Sequence, residues 1–192
     1  MYGRLWNFCT GLALAQALIA CVGTAVAQAV PDVDKPPIDP PKPRWTIGEQ
    51  KDRLDGKIIV VAQKIASETT LYPHLRKPIT NKHAALQISC NKGNTVIYFA
   101  VDGSLIGSRD TRVSYRIDEM PPVANLRWNA SEDHSAVGIW ESGRAVSFVK
   151  KLMPSKKIFI RIEHNVFGTT EAEFDTTELA EAMKPIRATC RW

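Results

Sequence analysis

Two cysteines, Cys90 and Cys190, remain once the first 27 residues are set aside, and they constrain the fold more than any other feature. Those first residues read as an export leader. Arg4 is the only charge before Asp32, and residues 12–27 are a run of Leu, Ala, Ile and Val broken by Gln16, Cys21, Gly23 and Thr24. The run closes on Ala25-Val26-Ala27, a small-x-small cleavage pattern, with Ala27-Gln28-Ala29 as a second register. Export delivers a chain to an oxidising compartment, where two thiols in one domain usually pair and connectivity here has one option. A Cys90–Cys190 bond would close a loop of about 100 residues, worth roughly 4–5 kcal/mol of chain entropy before strain. Whole domains are stable by only about 5–15 kcal/mol. The bond would staple the tail of the chain to a hairpin strand. There is no C-x-x-C and no His at ligand spacing beside either cysteine, so no metal site and no cofactor is expected.

Two other readings of the leader stay open. Its apolar run approaches the roughly 20 residues that span a bilayer. Leu18-Ile19-Ala20-Cys21 also fits the pattern of bacterial lipid-modified leaders, which would anchor the chain at Cys21 and leave residues 22–44 as a tether. The cleavage pattern favours a periplasmic or secreted product, with membrane contact only if Cys21 carries lipid. Residues 30–44 then hold six prolines in fifteen positions. Proline lacks an amide donor and fixes φ, so this stretch favours extended polyproline II and cannot enter a sheet interior. The expected organisation is a leader over 1–27, a proline-rich linker over 28–44 and one β-rich domain over 45–192.

Within that domain alternation dominates. Residues 57–62 are a β-branched run suited to a strand buried on both faces. Residues 86–90 alternate strictly, and Asn91-Lys92-Gly93-Asn94 turns them into a second strand over 95–101, an antiparallel hairpin. In 112–118, Val113, Tyr115 and Ile117 share one face while Arg112, Ser114, Arg116 and Asp118 share the other. Ala124, Leu126 and Trp128 resume alternation after Pro121-Pro122, and 136–140 is a short strand. Ile158, Ile160 and Ile162 line the next strand opposite Lys157, Arg161 and Glu163, and Phe167-Gly168 turns into 169–174. Two helices are predicted. One covers 145–152 with Phe148, Val149 and Leu152 on a stripe and Pro154 as its stop. The other begins at Asp175, Thr176 or Thr177, places Leu179, Met183 and Ile186 at helical spacing, and should kink or end at Pro185. Consecutive strands with tight turns predict a mainly β (α+β) fold: an antiparallel β-sandwich or partly closed barrel with one or two helices, including a C-terminal one.

Chemistry is thinly marked. The net charge of +5 is mild and its lysines and arginines are scattered, which argues against a nucleic-acid partner. His74, His83, His134 and His164 fall in no catalytic or metal spacing, and no nucleophile elbow or phosphate loop is present. Glu132-Asp133-His134-Ser135 gathers acid, base and hydroxyl types, but neighbours in sequence point apart and read as a polar loop. Trp45, Trp128, Trp140 and Trp192 are expected to anchor the core, with ligand stacking as the alternative. The candidate binding face is Arg112, Arg116, Asp118 and Arg127. It needs Arg116 to face a groove with Arg112 and Arg127 nearby; otherwise Arg116 and Asp118 form a structural charge pair worth about 0.2–1 kcal/mol.

The order Leu86-x-Ile88-x-Cys90, Val113-x-Tyr115-Arg116-Ile117-Asp118 and Trp128-x-x-Ser131 resembles the VasI family of type VI secretion-associated exported proteins. Phe148-x-x-x-Leu152, Phe174-Asp175, Leu179 and Cys190-x-Trp192 continue the resemblance over roughly residues 80–192. Family members often carry Gly where this chain has Glu178, and often lack so long a proline stretch. The resemblance implies no catalytic residues. The functional expectation is an exported, non-enzymatic cell-envelope module acting through contacts with an envelope protein, as an accessory of a type VI secretion system. The alternative is a periplasmic inhibitor or small-ligand binder, for example against cell-wall hydrolases.

Overall fold

The structure is a computed structural model and describes residues 44–192 apart from 75–76, 108–110 and 165–167. The leader, all but the last residue of the linker, and Phe167 of the expected turn lie outside the described residues. The chain forms β1 (Thr46–Lys51), β2 (Ile58–Ile65), β3 (Glu68–Tyr72), β4 (Ala84–Asn91), β5 (Asn94–Val101), β6 (Arg112–Ile117), β7 (Val123–Arg127), β8 (Asn129–Ala130), β9 (Ala136–Ile139), α1 (Ser142–Leu152), β10 (Lys157–His164), β11 (Gly168–Asp175) and α2 (Leu179–Cys190). Every strand pair is antiparallel. One sheet has the order β1-β2-β4-β5-β9-β8 and the other β3-β11-β10-β6-β7. Neither closes into a barrel.

The predicted hairpin is β4–β5. Its two-residue turn, Lys92-Gly93, has φ of 51° and 83°. Two positive φ values are the primed turn whose twist matches the strands it joins, and Gly93 adopts that conformation without strain. The register pairs Leu86 with Phe99, Ile88 with Ile97 and Cys90 with Thr95, so these side chains share one buried face. The second sheet answers with Ile158, Ile160, Ile162, Ala172 and Phe174, and Phe99 meets Phe174 edge to face at 5.7 Å. Each such fully buried large side chain contributes about 1.5–3 kcal/mol. Both helices enter the same core. α1 supplies Ala145, Phe148, Val149 and Leu152, and α2 supplies Leu179, Ala182, Met183 and Ile186. No helix among the described residues is long and apolar enough to cross a membrane.

The sulfurs of Cys90 and Cys190 are bonded, with Cα atoms 5.8 Å apart. Cys90 lies on the inner face of β4, so the bond seats α2 on the core side of the first sheet. Thr95, opposite Cys90, gathers both helices. Its amide donates to Ser142 Oγ at the start of α1 (3.1 Å), and its hydroxyl oxygen accepts from Trp192 Nε1 just past α2 (2.8 Å). Trp192 also lies between Lys150 of α1 and Arg187 of α2, whose cationic groups sit 5.7 and 5.6 Å from its ring centroid.

Several expectations change for physical reasons. β2 is not buried on both faces: Val60, Ala62 and Lys64 are buried, but Ile59, Val61, Gln63 and Ile65 are only half-covered. Nothing described here covers the outer side of this sheet. Lys64 sits beneath the Trp45 ring, 5.9 Å from its centroid, while Trp45 Nε1 donates to the Thr177 carbonyl. β1 and β3 carry no alternation that betrays them, since all six residues of β1 are exposed at a sheet edge. α2 starts later than Asp175–Thr177. Thr176 is held in the core by its amide bond to the Lys156 carbonyl and its hydroxyl contact with Ser155, and Asp175 closes a turn on the Thr177 amide. The chain must therefore reverse before the helix, and Glu178 does so at φ 64°. The helix also continues through Pro185. The carbonyl that Pro185 strands belongs to exposed Glu181, where water can donate, while Met183, Ile186 and the disulfide hold the flanking turns.

Cys190→Ser should lower the unfolding free energy by about 4 kcal/mol, read from urea denaturation, and reductant should lower the parent to the same level. Glu178→Gly should raise stability by about 0.5–1 kcal/mol, because only glycine is unstrained at that φ.

Candidate functional site

β6 alternates about the sheet plane, so Val113 and Ile117 enter the core while Arg112, Ser114 and Arg116 project outward. The pairing of β6 with β10 and β7 builds a face around them. Arg116 stands opposite Phe159, Ser114 opposite Arg161, and Arg112 between Glu163 and Arg127. A groove of about 320 Å³ runs across this face, lined by Ser114, Tyr115, Arg116, Pro122, Phe159 and Arg161. Arg116 thus faces a groove with Arg112 and Arg127 on the same side.

The electrostatics of this face are uneven. Arg161 is tied to Glu171 by a 2.6 Å bond from Nε to Oε1. Arg112, Arg116 and Arg127 make no ion pair among the described residues. Arg112 and Arg127 are direct cross-strand neighbours, and like charges so placed destabilise a sheet. Acidic residues collect on the other half of the same sheet, with Glu171 and Glu173 on β11 and Glu68 on β3. The outer surface is therefore basic toward β7 and acidic toward β3.

Asp118 leaves the row. It follows β6 at φ 47°, and its Oδ1 accepts the amides of Lys156 and Lys157, both at 2.9 Å. It fastens the end of β6 to the loop before β10 instead of pairing with Arg116. Beneath the face, the Tyr115 ring meets Phe148 at 5.0 Å and Phe148 meets Trp128 at 5.5 Å, both edge to face. Burial raises the Tyr115 phenol above its ordinary pKa, so it stays protonated at neutral pH. This aromatic stack holds the arginine strand against α1.

The Asp133 loop is organised differently. The Asp133 carboxylate accepts from the hydroxyls of Ser131 (2.6 Å) and Ser135 (2.8 Å) and from the Ser135 amide (3.2 Å). The Ser131 and Ser135 hydroxyls, then the Ser135 amide, lower its pKa to about 2. His134 stands at φ 60°, and its carbonyl accepts the amides of Ile106 and Gly107. Among the described residues no three His, Cys, Asp or Glu side chains converge as a metal-ligand set.

The family described as Type VI secretion system VasI, EvfG, VC_A0118 matches residues 25–192. The chain belongs to the VasI family. It is thus a type VI secretion-associated protein, and the match reaches well beyond residues 80–192 into the stretch before β1. No curated protein and no solved structure matches it significantly. Sequence reasoning offered Arg112, Arg116, Asp118 and Arg127 as a binding face, conditional on Arg116 facing a groove with Arg112 and Arg127 nearby, and missed Phe159, Arg161 and Pro122 as groove walls. Their outward positions were readable from alternation; the β6–β10 pairing that brings them beside Arg116 was not.

Arg127→Glu in this VasI-family protein should raise stability by about 0.2–1 kcal/mol by turning a repulsive cross-strand pair into an attractive one. The gain should shrink as salt screens the charges, which denaturation at low and high ionic strength would show.

Proposed function

We propose that this VasI-family protein is an exported, non-enzymatic accessory of the type VI secretion apparatus, working in the cell envelope through protein contacts. Its basic face of Arg112, Arg116 and Arg127 docks an acidic segment of a partner protein. The observation that carries this reading is the set of guanidiniums without an ion pair among the described residues, on paired strands beside a groove with an aromatic wall. Guanidinium forks recognise carboxylates bidentately and stack on aromatic faces, which suits an interface that reads acidic side chains. Strands hold such groups more rigidly than loops would, which lowers the ordering cost of binding. A clustered charge of one sign also speeds encounter with a partner of the other. The apolar leader and its small-x-small end support export, and the two cysteines suit an oxidising compartment.

Affinity capture of the full chain from an envelope fraction should recover a defined acidic partner that elutes as salt rises. The variant Arg116→Glu, at an exposed position with no ion pair among the described residues, should lose that partner while keeping the parent's unfolding midpoint. Recovery of the same partner by parent and variant would refute the docking face. Fractionation that leaves the product in the cytosol with its leader uncut would refute export.

A further inference from the structure

The outer faces of the two sheets are chemically opposite. The second sheet presents arginines and glutamates. The first presents no charged side chain at any outward-facing strand position from β1 to β9, in a chain of which 23% is charged. Its outward positions instead carry amides, hydroxyls and half-covered apolar groups, among them Gln63, Gln87, Ser89, Val96 and Tyr98. A solvated face that served only solubility would carry Lys and Glu, as the opposite sheet does.

Near β9 this face becomes a concavity of about 510 Å³. Two aromatic residues line it, Tyr98 and Trp140, whose rings stack on each other at 5.4 Å between centroids, 20° from parallel. Gly138 makes this possible. It stands opposite Tyr98 in register, and a Cβ there would lie 2.6 Å from the Tyr98 Cβ. Both rings are held at their polar ends, Trp140 by its Nε1 bond to the Asn129 carbonyl (2.8 Å) and Tyr98 by its hydroxyl bond to Gln87 Oε1 (2.5 Å). Trp140 therefore lies outside the core, contrary to the expectation for it. Around the rings stand Asn91, Asn94, Ser89 and the Ser131–Asp133–Ser135 loop. Among the described residues Asp133 Oδ2 accepts from the Ser135 hydroxyl, so it keeps acceptor capacity in the concavity it lines.

We infer that this concavity binds an uncharged oligosaccharide chain. Sugar rings offer apolar C–H faces that pack on aromatic rings and hydroxyls that pair with amides and carboxylates; a shallow concavity lined by two aromatic residues, two asparagines and one acceptor carboxylate complements both. No Lys or Arg lines the concavity, so it lacks the groups that would attract an anion, and Asp133 repels one. The site is separate from the arginine face and stands whether or not that face docks a protein.

The test is titration of the full chain with chitotetraose and with cellotetraose, followed by the indole N–H resonance of Trp140, assigned through Trp140→Phe. The Trp140 signal should shift saturably with at least one sugar while those of Trp45, Trp128 and Trp192 stay in place. Asp133→Asn and Asn94→Ala, both at exposed positions, should each weaken binding by about tenfold, as expected for losing one strong hydrogen bond. No shift with either sugar up to about 10 mM would overturn the proposal, since that excludes even millimolar affinity. So would equal binding of the anionic polysaccharide alginate. Sedimentation showing a dimer that Val61→Arg dissociates would also overturn it, because the neutral face would then be covered by a second copy of the chain.

Discussion

The bond between Cys90 and Cys190 joins two parts of the core that lie 100 residues apart in sequence. Cys90 stands on the inner face of β4, one of the two central strands of the first sheet, and Cys190 ends α2. Closing a loop of this length removes much of the freedom of the unfolded chain. It also fixes where α2 lies, and α2 covers inner-face positions that the second sheet does not reach. Thr95 then adds hydrogen bonds to α1 and Trp192, so both helices are referenced to the same hairpin end. With the inner faces committed in this way, any ligand or partner must be met by the outer faces and their edges.

Those outer faces divide the chemistry. On one, charges accumulate in two opposed patches, and Arg112, Arg116 and Arg127 make no ion pair among the described residues. On the other, charge is absent from every strand position that points outward, and two half-buried, stacked aromatic rings stand beside amides. Both surfaces cost the fold something. Arginines side by side repel, and half-covered Ile and Val on a bare sheet forgo burial that a core would give them. Membership in the VasI family places the chain with type VI secretion.

Much of the fold was legible in the sequence because periodicity reports burial. The β4–β5 hairpin, β6, β10 and the apolar stripes of both helices each bury one face, so their alternation or helical spacing is clean. β1 and β3 escaped because edge strands bury little, and polar residues satisfy them as well as apolar ones. Of the candidate site, Arg112 and Arg116 could be placed on one face, since alternation within a strand fixes side, whereas Arg127 joins them through the β6–β7 pairing. Asp118 was misplaced because strand parity was extended one residue beyond the strand, into a position with positive φ. Phe159 and Arg161 were hidden by topology: β10 follows β6 at a distance in sequence, and no local pattern announces that they pair. Trp140 was assigned to the core on residue type alone, whereas its seat depends on Gly138 across from Tyr98.

The places where this chain breaks local rules are of two kinds, and the difference separates structure from function. Glu178 at positive φ and Pro185 inside α2 are both compensated within the fold. The first permits the reversal that Thr176 imposes, and the second is held by packing and covalent linkage on either side. Arg112 beside Arg127 is compensated only in part: Glu163 stands opposite Arg112 on β10 but forms no ion pair with it among the described residues, and an acidic residue at position 127 would relieve the repulsion. A locally unfavourable arrangement that nothing in the fold requires is the signature expected of a surface shaped for something outside the chain. The same reasoning applies to the neutral sheet. A single lysine at Val61 or Val96 would solubilise it at little cost to the strand, yet the face carries none.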